Sequence, residues 1–191
     1  MRKMTCLFEN VAPGIHLAGE VVREENLWVE TQSGVLATRK WDGTSCAVIG
    51  GVLYGRHDAK RTPAPPGSIK CAPELVEGQH GCNVHWAPVT EHGVWTWHRE
   101  AWRALLSPLS DGTYELIGPR VNANSEGVDT HRFMRHGDEV FNDAPRGFHP
   151  LKEYLSRLRV EGVVFHHPDG VRMCKLRRRD FGLTWPLPVP R

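Results

Sequence analysis

Period-two alternation of apolar and polar positions dominates the readable stretches of this chain, and a helical period appears only twice. Leu27-Trp28-Val29-Glu30-Thr31 and Val35-Leu36-Ala37-Thr38 flank Gln32-Ser33-Gly34 and predict a hairpin turning at Ser33-Gly34. Lys40 then leaves the end of its second strand. Ser45-Cys46-Ala47-Val48-Ile49 and Val52-Leu53-Tyr54 predict a second hairpin about Gly50-Gly51, a dipeptide that accepts the positive φ angles of tight turns. Thr113-Tyr114-Glu115-Leu116-Ile117 reads as a strand closed by Gly118-Pro119. A last hairpin joins Val160–Phe165 to Val171–Leu176 through His167-Pro168-Asp169-Gly170. The helical spacing is found at Ala101, Trp102, Leu105 and Leu106, and again at Leu151, Tyr154, Leu155 and Leu158 behind Pro150, a favoured first-turn residue. The proline-rich run 62–67 excludes a central strand or a helix interior and predicts a surface loop, while the stretch from there to about His92 carries no period.

Strands outnumber helices and short turns join them, which predicts an α+β fold of antiparallel sheets with few helices. With 191 residues, 40% hydrophobic and 24% charged, the expectation is one soluble domain, 1–191. Residues 1–26 are expected as an N-terminal strand pair or a partner-contacting arm, and 183–191 as an extended tail. No apolar run approaches the roughly 18 residues of a membrane span, and the basic start lacks the apolar core of a secretory signal. Five cysteines without a Cys-x-x-Cys pair fit a reducing compartment, so a cytoplasmic location with no membrane and no obligate protein partner is expected. A net charge of +2 does not announce nucleic acid, but Lys175-Leu176-Arg177-Arg178-Arg179 packs four cations into five residues.

Glu115, Glu161 and the pair Lys175 and Arg177 place charges in strands where burial would favour apolar residues. Each therefore needs a partner or a ligand. Lys40 is the natural focus: a lysine nucleophile must lose its proton near neutral pH, and neighbouring cations favour the neutral form while holding the phosphates it attacks. Carboxylates at Glu161 and Glu115 would position a metal or accept a ribose hydroxyl.

Lys40-Trp41-Asp42-Gly43, Glu115-Leu116-Ile117-Gly118, Glu161-Gly162-Val163-Val164 and Lys175-Leu176-Arg177, in that order, resemble motifs I, III, IV and V of the covalent nucleotidyltransferases. These are the DNA ligases, RNA ligases and mRNA capping enzymes. Within that superfamily the chain is most similar to the compact ATP-dependent 5′ to 3′ RNA ligases of the RNA ligase 1 family. The resemblance implies a nucleotidyltransferase catalytic domain without an oligonucleotide-fold domain, with ATP as co-substrate and Mg²⁺ (or Mn²⁺) as the metal. Lys40 would form a lysyl-AMP. Asp42, Gly43 and Arg56 would lie at the nucleotide, with Asp42 and Arg56 on its ribose or on the RNA phosphate. Glu115 would bind the ribose, Glu161 the metal, and Lys175 and Arg177 the α-phosphate. Phe133, 18 residues after Glu115, would stack on adenine. Arg178 and Arg179 would contact RNA bearing 5′-phosphate and 3′-hydroxyl ends. Motif V usually ends in lysine; Arg177 keeps the charge there and changes the geometry.

The implied activity is ATP-dependent joining of RNA ends through lysyl-AMP and an adenylylated RNA end. The alternatives are a capping-type guanylyltransferase or DNA ligase, which share the nucleophilic lysine, and an RNA- or nucleotide-binding module with a degenerate site. Arg178 and Arg179 read equally as a solvated face. Trp86, Trp95, Trp97 and Trp102 could stack on bases, but read first as core. Cys71, His80, Cys82 and His85 could hold zinc, yet their spacing matches no common ligand pattern.

Overall fold

In the computed structural model, which describes residues 3–79 and 81–188, the strands lie in two larger sheets and one small ribbon. In chain order β1 (Thr5–Cys6), β2 (Phe8–Asn10) and β3 (Ala18–Val22) are followed by α1 (Trp28–Thr31) and β4 (Leu36–Lys40). Next come β5 (Thr44–Ile49), β6 (Val52–Asp58), β7 (Ile69–Lys70), β8 (Val84–Pro88), α2 (Thr96–Arg103), β9 (Gly112–Ile117) and β10 (Arg132–Arg135). The chain closes with α3 (Phe148–Arg157), β11 (Gly162–His166) and β12 (Met173–Arg177). It divides into two compact units: Asp42–His136 with Lys3, and Met4–Trp41 with the chain from Gly137 onward.

The unit of 42–136 is built on a six-stranded antiparallel sheet ordered β10-β9-β5-β6-β8-β7. Its central hairpin turns where expected, with φ of 58° and 75° at Gly50 and Gly51. Alternation sorts the two faces. Cys46, Val48, Leu53, Tyr114 and Leu116 pack against Ala101 of α2, whereas Ala47, Trp86 and Val84 form a separate cluster with Cys71. Strands β7 and β8 arise in the stretch that carried no period: in β8 Val84, Trp86 and Ala87 are all buried, and the two-sided burial blurs alternation, while β7 is two exposed residues, too short to show a period.

The second unit holds a four-stranded sheet ordered β1-β12-β11-β4, antiparallel except for the short parallel pair β1 and β12. Its inner face, Ala37, Val163, Phe165, Cys174 and Leu176, meets Leu151 and Leu155 of α3, with Phe8, Phe181, Trp28 and Val29 completing the core. Each such fully buried side chain is worth about 1.5–3 kcal/mol. Residues 8–22 form the expected strand pair, β2 with β3, and place Phe8 inside this core.

The hairpin expected at 27–38 does not form. Trp28 and Val29 are adjacent and both enter the core, which a strand would prevent by sending them to opposite faces; one helical turn accommodates both. Strand β4 pairs instead with β11, more than a hundred positions later in the chain. The α+β class with antiparallel sheets and few helices stands, and no helix among the described residues is long and apolar enough to cross a membrane. Residues 62–67 form the expected irregular loop; of the expected tail, 189–191 lie outside the described residues.

Candidate active site

On the four-stranded sheet, register places the motif residues. Lys40 and Arg177 sit on either side of Gly162, and Thr38 and Lys175 on either side of Val164. Since Ala37, Val163, Leu176 and Cys174 face the core, Lys40, Lys175 and Arg177 share the opposite face. Gly162 leaves that row open: a Cβ there would approach the Leu176 carbonyl oxygen to 2.1 Å.

Glu161 lies at the start of β11 and is only 1% exposed. Its carboxylate pairs with the Lys40 ammonium through Oε2 and stands 3.5 Å from Arg179 Nη2 through Oε1. A buried carboxylate is tolerated there because two cations face it. Although the Lys175 backbone carbonyl accepts from Leu7 N–H at 2.8 Å, its side chain makes no hydrogen bond or ion pair among the described residues. Burial first, then the positive charges of Arg177 and Lys40, lower its pKa to about 8. A half-buried lysine so placed is a ready receptor for an anion.

Arg177 reaches the same face with its guanidinium already engaged. Asp180 accepts from its Nε at 3.1 Å, its Nη2 at 2.6 Å and its backbone N–H at 2.8 Å. Burial works against the charge, but the Asp180 hydrogen bonds and charge raise the Arg177 pKa. Arg178, expected at RNA, turns inward instead. It is 4% exposed and donates to the carbonyls of Leu155, Leu158 (2.8 Å) and Thr184 (2.9 Å), tying α3 to the segment beyond β12. Strand alternation ends at Arg177, and the 3-10 turn 178–181 rotates Arg178 inward while leaving the Arg179 side chain 61% exposed.

On the six-stranded sheet, Glu115 accepts from the Gly43 N–H at 3.2 Å, the Ser45 hydroxyl at 2.9 Å and His136 Nε2 at 3.0 Å. His136 Nδ1 in turn pairs with the Thr113 hydroxyl at 3.0 Å, fixing the ring. Gly43 must be glycine, because a Cβ would stand 2.2 Å from the Leu116 carbonyl oxygen. Asp42 accepts from Asn122 Nδ2 at 2.8 Å through Oδ1, and its N–H donates to Glu126 at 2.8 Å. Arg56 lies on the Glu115 face, opposite Trp86 in register, and its side chain makes no hydrogen bond or ion pair among the described residues.

Phe133 does not join Glu115. It pairs with Leu116 in register and its ring meets Trp102 and Tyr114 on the α2 face. The partner of Glu115 is Met134: one position along a strand reverses the face, so Phe133 packs half-buried against the α2-face cluster. Trp86 is core, and Trp102 also packs against the α2-face cluster. His80 of the candidate zinc set lies outside the described residues, and no group of three or more His, Cys, Asp or Glu suited to a metal occurs among those described. The motif pattern missed Ser45, Asn122, Glu126, His136 and Asp180. Only Ser45, two positions from Gly43 on one strand face, and Asp180, three after Arg177, carried a local signal.

The family model described as RNA ligase 1 matches residues 78–190. The chain belongs to the RNA ligase 1 family. RNA ligase 1 of Rattus norvegicus is 35% identical over 92 residues, 44% of this chain and 28% of that protein. RNA ligase 1 of Pongo abelii is 32% identical over the same coverage, and that of Danio rerio 33% over 91 residues, 43% of this chain and 28% of the relative. The aligned stretch thus spans under a third of these relatives. The RNA ligase 1 match takes in Glu115, Glu161, Lys175 and Arg177 and begins after Lys40 and Arg56. The standing of Lys40 rests on its position beside Glu161.

Proposed function

We propose that the chain joins RNA 3′-hydroxyl and 5′-phosphate ends with ATP, on a nucleotidyltransferase fold, with Lys40 as the covalent nucleophile. The observation that carries the reading is the pairing of Lys40 with buried Glu161 on the sheet face that also presents Lys175. Membership of a family named for RNA ligation supports it.

In the proposed first step, with Glu161 staying ionised, Lys40 releases one ammonium proton to solvent. Its free electron pair forms a bond to the α-phosphorus of ATP, the bond from phosphorus to the bridging oxygen breaks, and pyrophosphate leaves with that pair. The remaining ammonium proton passes to solvent, leaving a neutral phosphoramidate nitrogen. Lys175 is the cation assigned to the α-phosphate, because it shares the sheet face of Lys40 and its side chain is not taken up by a hydrogen bond or ion pair among the described residues. Arg177 acts as a strut for Asp180. Glu115, Asp42 and Arg56 are assigned to the nucleotide, and Arg179 to RNA phosphate.

In the second step an oxygen of the RNA 5′-phosphate attacks the lysyl-AMP phosphorus, the nitrogen–phosphorus bond breaks and Lys40 recovers its proton. The 3′-hydroxyl oxygen then bonds to the 5′-phosphorus of the adenylylated end, its proton passes to solvent, and the phosphoanhydride bond breaks so that AMP leaves. Glu161 is a hard oxygen donor of the kind Mg²⁺ takes, and that ion is commonly held by one or two carboxylates with substrate phosphates. Bound there, Mg²⁺ would neutralise phosphate charge. Among the described residues Glu161 already faces two cations, so a metal at Glu161 requires Lys40 to be discharged or displaced.

Incubation of the full chain with α-labelled ATP and Mg²⁺ tests the reading. A covalent label that disappears in Lys40→Arg is the expected result; an unlabelled wild type, or label surviving that substitution, ends it. Labelling by GTP in preference to ATP would favour the guanylyltransferase alternative.

A further inference from the structure

Residues 122–124 take left-handed backbone angles in succession, with φ of 44° at Asn122, 54° at Ala123 and 56° at Asn124. Side chains cost energy in that region; asparagine bears it best, and alanine has no polar group with which to offset it. Three such residues in a row persist only where surrounding contacts hold them, and backbone strain of this kind gathers at functional sites. Here the contacts are known: Asn124 N–H donates to the Val121 carbonyl at 2.9 Å, and the Asn124 side chain accepts from Val128 N–H at 2.9 Å.

What the strained turn holds is the Asp42-Gly43 segment. Asn122 Nδ2 donates to Asp42 Oδ1 at 2.8 Å and to the Gly43 carbonyl at 2.9 Å. Ser125 Oγ donates to the Asp42 carbonyl at 3.2 Å, and Glu126 accepts the Asp42 N–H at 2.8 Å. Three side chains from five consecutive positions therefore fix both peptide groups of Asp42, its carboxylate and the carbonyl beyond. A regular turn would not aim the Asn122 amide at two acceptors on another segment.

We infer that Asn122 is a positioning residue for the nucleotide site: the left-handed turn 122–124 presents its amide so that the Asp42 carboxylate and the Gly43 backbone are preset before ATP arrives. The inference rests on the lysyl-AMP reading above and adds to it the device that orients Asp42. Ordering these groups before substrate binds removes a cost from the reacting state, so the consequence falls on rate at saturating ATP.

Asn122→Gly separates the two properties of this position, since glycine adopts the left-handed angle freely and lacks the amide. In single-turnover labelling with α-labelled ATP, it is expected to slow lysyl-AMP formation about tenfold or more at saturating ATP with Tm nearly unchanged, an effect of the size a small misplacement produces. Ala123→Gly, which relieves strain and keeps every hydrogen bond, is expected to raise Tm and leave the labelling rate unchanged. Asn122→Asp, which keeps the size and loses the donor, must reproduce the slow labelling if the glycine variant folds poorly. Labelling of Asn122→Gly within twofold of wild type overturns the inference alone. Absence of label on the wild type overturns it together with the proposed function.

Discussion

Two buried carboxylates, one in each unit, are held in opposite ways. Glu161 faces charge, with Lys40 and Arg179 about its two oxygens. Glu115, 8% exposed, is held by a peptide N–H, a hydroxyl and an imidazole. An ion pair keeps its members exchangeable, because each remains attractive to another charge: the lysine to a phosphate, the carboxylate to a metal. A carboxylate held by several short, fixed donors is set in place and presents its remaining lone pairs in a set direction. The first arrangement suits a group that reacts, the second a group that orients.

Replacing Lys40 tests the charged arrangement most severely. Lys40→Ala should abolish labelling and destabilise the chain by about 3–5 kcal/mol, because a buried carboxylate loses its main partner. Lys40→Arg should abolish labelling while keeping most of that stability, as read by denaturant unfolding. If Lys40→Ala unfolds no earlier than the wild type, Glu161 does not depend on the pair.

The neighbours Arg178 and Arg179 sharpen the contrast between structural and available charge. Arg178→Ala should cost about 2–4 kcal/mol through three carbonyls left without their donor, and RNA affinity measured on folded protein should be unmoved. Arg179→Ala should do the reverse, weakening RNA binding and flattening its salt dependence with less than about 1 kcal/mol of stability lost.

Lys175 gives a pH signature. Its folded pKa of about 8 lies below the ordinary lysine value of 10.5, so between those values the unfolded chain holds a proton that the folded chain has released. Stability therefore rises with pH across that window, and below it the protonated lysine is a standing penalty. Lys175→Met should flatten the rise and gain about 1–2 kcal/mol at pH 7. Unfolding free energies between pH 7 and 10.5 decide; a wild type insensitive to pH there refutes the assignment. The smallest effect is expected in the Glu115 network, where Ser45→Ala, which removes an uncharged donor, should cost about 1 kcal/mol. That loss should be the same at low and high salt, whereas the stability contributed by Lys40 should shrink as salt rises. Equal salt dependence at both sites would erase the distinction.

Ordered motifs picked out Lys40, Glu161 and Lys175 because reactive and charged residue types at strand ends stand out from an alternating background. Several strands, α2, α3 and the turns at Gly50-Gly51 and His167–Gly170 were legible for the same reason: their signals lie within a few neighbouring residues. Phe133 shows the limit of that legibility. Its type suited a base-stacking role, but its face is decided by register with β9, and one residue of register exchanges core for site. The helical turn at Trp28 likewise depends on a core assembled from Phe8, Phe165 and Leu155, distant in sequence.

The sequence by itself determined which residues could carry the chemistry, since nucleophilicity, charge and backbone permissiveness belong to residue types. Only the tertiary structure decided their distant partners: Glu161 for Lys40, backbone carbonyls for Arg178, and Asn122 for Asp42. Partnership between residues far apart in the chain is set by strand register and burial, and no local pattern encodes either.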